Sequence, residues 1–341
     1  MEKTILMAAA ACLVLASCNK QEAPVVPAQT PAEQEVSVIA FNNVVTKGYT
    51  GWDASQTAFE EVTDPSAETL TPTVRKMSLS AYDATVSKDF FVGEKYAKDD
   101  TDGLWHATPK KYYPLGNDTF NFLAYSVGNE GNYIGEWEDA NEVSLEVDEN
   151  FYQDDIIFAA GSASAVSPTV DLEFSHAQAW IHFNINITAE SEKDLKLTVN
   201  SITWKDIFGK GLLKITADGD GANCTAKWNF FNQVASDIAM VDAAPGLFPF
   251  DLDPATKVAD VDTAGKVSKI DMLLPADQRH TNFVLNYDLG DQKGLEYECS
   301  LTSGMWEQGV RYTYNVKITI NEVTANPTIE VFDEVSENFN I

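Results

Sequence analysis

The chain has 341 residues, of which 44% are hydrophobic, so it is long enough to form two domains that each bury a core. Its 52 acidic residues outnumber its 23 basic residues, which gives a formal net charge of −29 at pH 7. This charge argues against nucleic acid as a partner, because nucleic-acid binding depends on basic side chains that neutralise phosphates.

The first 17 residues are typical of an export signal peptide. Lys3 supplies the basic region, and Ile5–Ala16 is an apolar run that is too short to span a bilayer comfortably. The signal ends in Leu15-Ala16-Ser17-Cys18, which resembles a bacterial lipobox, with small residues before the cut and a thiol after it. This motif predicts that Cys18 becomes the acylated N-terminus of a lipoprotein, modified with palmitate. Several acyl chains would anchor the protein stably in the membrane. A cysteine that follows an ordinary signal by chance is the alternative.

A flexible tether, residues 18–35, is predicted from its Pro, Gln, Glu and Ala content. Val36–Phe41 follows as the first predicted strand, and both of its faces are largely apolar, as expected of a strand inserted between two layers. The residues that form these faces include Val36, Val38, Ile39 and Phe41. The long polar stretch 42–75 is either a plain surface loop or a connection accessible to a protease.

Short alternating segments bounded by Gly, Asn and Asp turns predict many further strands. In the N-terminal half they are Met77–Ala81, Phe90–Val92, Trp105–Tyr113, Thr119–Val127, Val143–Val147 and Ile156–Ala160. In the C-terminal half they are Leu195–Val199, Ile202–Trp204, Leu212–Ile215, Cys224–Phe230, Ile270–Leu274, Phe283–Leu289, Leu295–Leu301 and Tyr312–Ile320. Long helical periodicity is nearly absent, so we predict an all-β chain with two β-sandwich domains in tandem, residues 36–170 and 171–341.

The joint between the two predicted domains lies in a strand whose apolar phase changes. Leu172 and Phe174 are apolar at even positions, whereas from Ala177 onward the apolar residues are odd, Ile181 and Phe183 among them. Because strand side chains alternate between faces, this slip turns the buried face over. The pattern predicts a bulge near residues 175–176, at which one long strand leaves one sheet and enters another.

No set of residues predicts catalysis, a metal centre or a cofactor. His176 and His182 share a strand face but lie about 20 Å apart, too far to ligate one metal ion, and we expect His176 to be a hydrogen-bonded core or joint residue. Asp218–Gly221 lacks the spacing and the terminal Glu of a calcium loop and predicts a hairpin turn. The sequence also lacks nucleophile, phosphate-loop and dinucleotide motifs, so we expect no enzyme.

The two cysteines of the body, Cys224 and Cys299, each alternate with apolar residues along a predicted strand. A thiol on an apolar face behaves as a small hydrophobic group, so the sequence predicts two buried thiols. One disulfide is the alternative, if the two strands face each other.

Five parts of the sequence resemble signatures of the Bacteroidales fimbrillin family. They are MSLSAYD at 77–83, YYPLGNDTFNFLAYS at 112–126, DDIIFAAG at 154–161 with LEFSHAQAWIHFNI at 172–185, MLLPADQ at 272–278 and GVRYTYNVKITI at 309–320. They stand in the family's order and cover most of residues 36–320. The resemblance implies two transthyretin-like sandwiches and a fimbrial (pilus) subunit or tip adhesin at the outer membrane. Its partners would be other pilin subunits and a host or bacterial surface ligand.

The resemblance also implies how the subunits assemble. The first strand fills a groove in its own sandwich until a trypsin-like surface protease cuts after it, and a strand of another subunit then takes its place by β-augmentation. The family's cut usually follows an Arg shortly after the first strand, where this sequence has Lys47, and Arg75 is the other candidate. We favour Lys47. The candidate donated strand is Thr328–Val335, with Ile329, Val331 and Val335 on one face.

A monomeric surface lipoprotein that binds glycan is the alternative function. Trp52, Trp105 and Trp137 lie in or beside polar turns, where each ring either packs against the protein or stacks on a sugar. Asp262-Thr263-Ala264 also fits a short O-glycosylation pattern of these bacteria, with Thr263 as the acceptor.

Overall fold

The computed structural model describes residues 37–46, 76–99, 101–114, 118–127, 135–151, 154–168, 170–189, 197–219, 221–231, 233–239, 250–252, 268–320 and 328–334. Within these ranges the regular structure consists of β-strands and one short 3₁₀ turn, Glu149–Phe151. The all-β prediction is therefore confirmed. The same ranges contain no helix with the length and apolar character needed to cross a membrane.

Twenty strands follow one another within the described ranges. The first ten are β1 (Phe41–Thr46), β2 (Lys76–Asp83), β3 (Lys88–Lys98), β4 (Trp105–Ala107), β5 (Thr119–Val127), β6 (Gly135–Asp139), β7 (Glu142–Val147), β8 (Ile156–Ser164), β9 (Val170–His176) and β10 (Gln178–Ala189). The others are β11 (Leu197–Ile207), β12 (Gly211–Ala217), β13 (Cys224–Asn229), β14 (Ser236–Ala239), β15 (Phe250–Leu252), β16 (Ser268–Pro275), β17 (Gln278–Leu289), β18 (Gln292–Trp306), β19 (Arg311–Ile320) and β20 (Thr328–Glu334).

Seven of these strands form a sheet that closes on itself, in the order β1-β4-β3-β2-β5-β8-β9. β1 closes it, because Phe41 pairs with Trp105 of β4 on one side and β1 runs parallel to β9 on the other. The enclosed side chains form one apolar cluster. Its largest members include Phe41, Tyr96, Trp105, Tyr113, Phe120, Phe122 and Phe174.

Three further sheets contain most of the C-terminal half. Their strand orders are β16-β10-β19-β20, β14-β11-β17-β18 with β15 paired to β11, and β13-β12-β7-β6. In the last of these, β7 and β6 come from before the predicted boundary at residue 170, and β12 and β13 come from after it. The second apolar cluster also draws residues from both sides of residue 170, and the division into two domains stays a prediction.

Strands β5 and β8 separate the two apolar clusters and face both of them. On β5, Phe122 and Ala124 belong to the cluster inside the closed sheet, whereas Leu123 and Tyr125 belong to the other cluster. β8 alternates in the same way. Where a strand faces a cluster on each side it has no solvent face, which explains the unbroken apolar run at the start of β8.

The predicted change of phase near residues 175–176 is confirmed. β9 ends at His176, Ala177 lies outside both strands, and β10 begins at Gln178 in another sheet. Phe174 belongs to the closed-sheet cluster, while Ile181 and Phe183 are fully buried in the other cluster, as the odd register requires. The Ala177 N–H donates to the Ile156 carbonyl at 2.8 Å, so the interruption keeps its backbone bonded.

Four of the predicted strands have notably different bounds in the structure. The regular strand β1 spans Phe41–Thr46 rather than Val36–Phe41, because the pairing with β9 becomes continuous only after a register shift between Phe41 and Asn43. The segment predicted at Trp105–Tyr113 is regular only over β4, since Pro109 has no N–H for a ladder. The two segments predicted around residue 200 are one strand, β11, whose irregularity between Val199 and Ser201 produces the observed change of phase.

Candidate functional site

The candidate site is the strand groove, which is the gap between β4 and β9 that residues 37–46 fill. The backbone of this segment is bonded before β1 begins. The Ile39 N–H donates to the Lys111 carbonyl at 2.9 Å, and the Tyr113 N–H donates to the Ser37 carbonyl at 3.0 Å. Val38 forms an isolated bridge with Tyr112. The segment therefore completes a sheet with main-chain hydrogen bonds that another strand can also make.

Two side chains secure the segment inside the closed sheet. Ile39 and Phe41 are fully buried. The Phe41 ring meets Tyr96 and Phe122 edge to face, with ring centroids 5.5 Å and 5.4 Å away. Such aromatic pairs stabilise beyond their buried area, so Phe41 is the main anchor of this segment.

Tyr96 is a residue of the strand groove that sequence reasoning missed. Its side chain is fully buried, and its hydroxyl has no hydrogen-bond partner among the described residues. Burial is the main cause that raises the pKa of Tyr96, so the hydroxyl stays protonated. The available sequence signal was an aromatic residue that follows Glu94 and Lys95 and precedes Lys98.

The residues predicted for assembly are distributed as follows. Val38, Ile39 and Phe41 lie in the strand groove, and Ile329 and Val331 lie on β20. β20 is the last strand of its sheet and pairs with β19, with Ile329 opposite Ile318 and Val331 opposite Val316. Cys18, Val36, Lys47, Trp52, Arg75, Thr263 and Val335 lie outside the described residues.

A buried acid–base pair lies at the junction of β8, β9 and β10. His176 Nδ1 is 2.6 Å from Asp155 Oδ2, and the two side chains are 4% and 2% exposed. The adjacent Gln178 side chain accepts from the Ile156 N–H at 2.9 Å and donates to the Phe151 carbonyl. His176 is thus a buried residue of the joint in close polar contact with Asp155, which agrees with its predicted place at the joint. Asp155, which it contacts, lies in the DDIIFAAG motif, but no local pattern relates the two residues.

Asp99, Asp102 and His106 form a second acid–base group at the β3–β4 turn, and their ligand-type atoms lie within 4.8 Å of one another. The 2.8 Å separation of His106 Nε2 and Asp102 Oδ2 is that of a direct hydrogen bond. The pKa of Asp102 is lowered mainly by the hydrogen bond from the Leu104 N–H and, to a smaller extent, by the hydrogen bond with His106. Hydrogen bonds within the turn therefore position this group.

The remaining predicted side chains are mostly packed in the protein. Cys224 is partly buried and Cys299 is buried, and no disulfide joins them. Trp105 is buried, and the Trp137 indole N–H donates to the Ser78 hydroxyl at 3.0 Å. These two rings therefore pack against the protein. Asp218–Gly221 forms the predicted turn between β12 and β13, in which the Gly221 N–H donates to the Asp218 carbonyl.

Comparison with known proteins identifies the family model described as fimbrillin-like, which matches residues 62–331. No curated protein matches the sequence. A candidate cell adhesion protein from Bacteroides uniformis is similar in structure, with 16% identity and a TM-score of 0.47 over 87% of this chain and 98% of that one. A candidate cell adhesion protein from Bacteroides ovatus has 13% identity and a TM-score of 0.49 over 88% and 97%. A fimbrial protein from Bacteroides vulgatus has 13% identity and a TM-score of 0.41 over 87% and 98%.

Proposed function

We propose that this chain, which belongs to the fimbrillin-like family of pilus and adhesin subunits, is exported as a lipoprotein and polymerises by protease-triggered strand exchange. The family is structural and adhesive, so the chain is not an enzyme. Family membership also implies a location at the cell surface. Our proposal adds three features to this family assignment. They are the lipid anchor, the proteolytic cut after the first strand and the exchange of strands between subunits.

The observation that carries the proposal is the way in which segment 37–46 completes the closed sheet. Its hydrogen bonds are main-chain bonds, and its anchoring side chains, Ile39 and Phe41, are apolar. Removing it would expose an apolar groove with unpaired edges on β4 and β9. An exposed groove of this kind is stabilised by another extended strand, because β-augmentation restores both the ladder and the apolar contacts.

The proposed sequence of events begins with export and acylation of Cys18. A surface protease then cuts after Lys47, with Arg75 as the other candidate, and releases the first strand together with the tether and the lipid. The C-terminal segment Thr328–Val335 of a second subunit enters the strand groove. The terminal position of β20 in its sheet supports this role, because only one neighbour, β19, has to release it among the described strands.

N-terminal sequencing of the surface form tests the cut. We expect material that begins at Gly48, and Lys47→Ala should retain the precursor whereas Arg75→Ala should not. Polymers whose subunits begin at Cys18 would overturn the scheme.

Deletion of residues 328–341 tests the donated strand. On a gel run without boiling, the deletion should abolish the ladder of high-mass species. Normal polymers from the deletion variant would favour the monomeric glycan-binding lipoprotein.

The lipid anchor has its own test. Cys18→Ser should give an unprocessed or soluble protein that no longer partitions into detergent, because acylation requires the thiol. Unchanged partitioning would show that the membrane attachment has another origin.

A further inference from the structure

A buried imidazole faces two carboxylates at the turn between β3 and β4. The ligand-type atoms of Asp99, Asp102 and His106, called the turn cluster below, all lie within 4.8 Å of one another. His106 is only 8% exposed, and its Nε2 atom lies 2.8 Å from Asp102 Oδ2. Its Nδ1 atom is buried and has no hydrogen-bond partner among the described residues. Within the part of the chain that the structure describes, this imidazole therefore has its polar contact inside the cluster alone.

The turn orients both carboxylates of the cluster. Asp99 Oδ1 accepts from the Thr101 N–H at 2.8 Å, and Asp102 Oδ1 accepts from the Leu104 N–H at 2.9 Å. The backbone closes around them, because the Gly103 N–H donates to the Asp99 carbonyl at 2.8 Å. The same two backbone N–H groups are the main cause that lowers the pKa of each carboxyl, so both are ionised at neutral pH. A carboxylate has about four lone pairs, so each keeps some for a ligand.

The negative charge of the turn cluster is not balanced by a basic side chain in contact with it. Neither carboxylate forms an ion pair with a lysine or arginine among the described residues. Lys110 is the weakest of the causes that lower the pKa of Asp102. Imidazole nitrogen together with carboxylate oxygen is a ligand set that zinc takes, whereas calcium and magnesium take oxygen ligands.

The distances within the cluster fit a metal ion after a small adjustment. Two ligand atoms bound to tetrahedral zinc at about 2.1 Å are about 3.4 Å apart. The 2.8 Å contact between His106 and Asp102 would lengthen by about 0.6 Å to reach this value. The Asp102 side chain is 39% exposed, so it has room to move while the buried imidazole stays in place.

We propose that the turn cluster binds one divalent cation of the zinc type, with His106 Nε2 and one oxygen each of Asp99 and Asp102 as ligands and water in the remaining position. The cation takes the place of the proton between His106 and Asp102. His106 lies on β4, where the preceding Trp105 pairs with Phe41 of β1. A bound cation therefore fastens β4 to its turn at one edge of the strand groove. This role is structural and does not depend on the proposed strand exchange.

The test is calorimetric titration of zinc into the chain from residue 19 onward, purified without a histidine tag. We expect Asp99→Asn and His106→Gln each to weaken zinc binding at least about tenfold, because each removes a ligand. Asparagine keeps the oxygen that accepts the turn N–H, so Asp99→Asn should leave the fold intact. Asp148→Asn is the matched control, since Asp148 Oδ1 accepts from the Asn150 N–H in the same way but belongs to no metal-type group of the described residues. It should change the affinity by less than about twofold.

Two further measurements connect the binding to this site. Nitrogen-15 NMR of the four histidines should show zinc shifting one Nε2 signal, and that signal should be missing from His106→Gln. Zinc at ten times its Kd should raise the Tm of the unaltered chain by about 3 °C and leave that of Asp99→Asn nearly unchanged.

Several outcomes would overturn the proposal and leave the strand exchange untouched. They are no zinc binding up to about 1 mM, unchanged affinity in Asp99→Asn or His106→Gln, and displacement of zinc by equimolar calcium. An unchanged Tm with zinc bound would overturn the structural role.

Discussion

His176 Nδ1 lies 2.6 Å from Asp155 Oδ2 at the point where β9 ends, and both side chains are almost fully buried. The contact joins the residue before β8 to the last residue of β9, next to the interruption at Ala177. Removing one member of a buried pair leaves the other without its partner in a medium of low polarity.

Asp155→Ala and His176→Ala should therefore each destabilise the protein by about 3 kcal/mol. Urea unfolding of the single and double variants measures the coupling between the two side chains. The double variant leaves neither side chain without the other. Its decrease in the free energy of unfolding should therefore be well below the sum of the decreases of the two single variants. Additive losses would show that the two side chains act independently.

Replacing Phe183 by a charged residue should lower the free energy of unfolding more than a conservative substitution on the exposed face of β9 does. The Phe183 ring packs against Phe283 and Tyr314, with centroids 5.1 Å and 5.2 Å away, and is fully buried. Phe183→Asp should lower the free energy of unfolding by about 4 kcal/mol or more, because the charge has no partner there. Asp171→Asn, at an exposed position of β9, is the matched control and should change it by less than about 0.5 kcal/mol. Similar urea midpoints for the two variants would contradict the register.

Gly221 packs so closely against Asn121 that no side chain fits. A Cβ at Gly221 would lie 2.0 Å from Asn121 Cγ, and the Gly221 φ of +66° favours glycine. Gly221→Ala should destabilise the protein by about 2 kcal/mol. Gly219→Ala in the same turn has nothing within 4 Å and should be nearly neutral in the same thermal unfolding assay. Equal melting temperatures of the Gly221→Ala and Gly219→Ala proteins would contradict the close packing of Gly221 against Asn121.

The thiol of Cys299 should be unreactive at neutral pH in the native protein. Burial raises the pKa of Cys299 from 9.0 to about 11, so the thiolate needed for alkylation is scarce below that pH. In a chain that begins at residue 19 and carries Cys224→Ser, iodoacetamide should label Cys299 far more slowly at pH 8 in the native protein than in urea. The folded state holds the proton more tightly than the unfolded state, so its stability should fall as the pH rises from 9 towards 11. Equal labelling rates in native and unfolded protein would refute the burial.

The secondary-structure class and the change of phase between Phe174 and Ala177 could both be predicted from local sequence. Side-chain alternation along a strand is a local property, so the burial of Ile181 and Phe183 could be predicted without knowing what covers them. Local patterns also predicted that His176 belongs to the joint and that Asp218–Gly221 is a turn.

The pairing of strands that are far apart in the chain became visible in the tertiary structure alone. No local pattern relates Asp155 to His176, Gly221 to Asn121, or Phe41 to the pocket of Tyr96 and Phe122, since each contact depends on pairings between strands far apart in the chain. The bounds of β1 were misplaced for the same reason: its regular ladder begins where β9 becomes available as a partner, after the shift at Asn43. Apolar alternation specifies that a face is buried, whereas the backbone hydrogen bonds between strands specify what buries it.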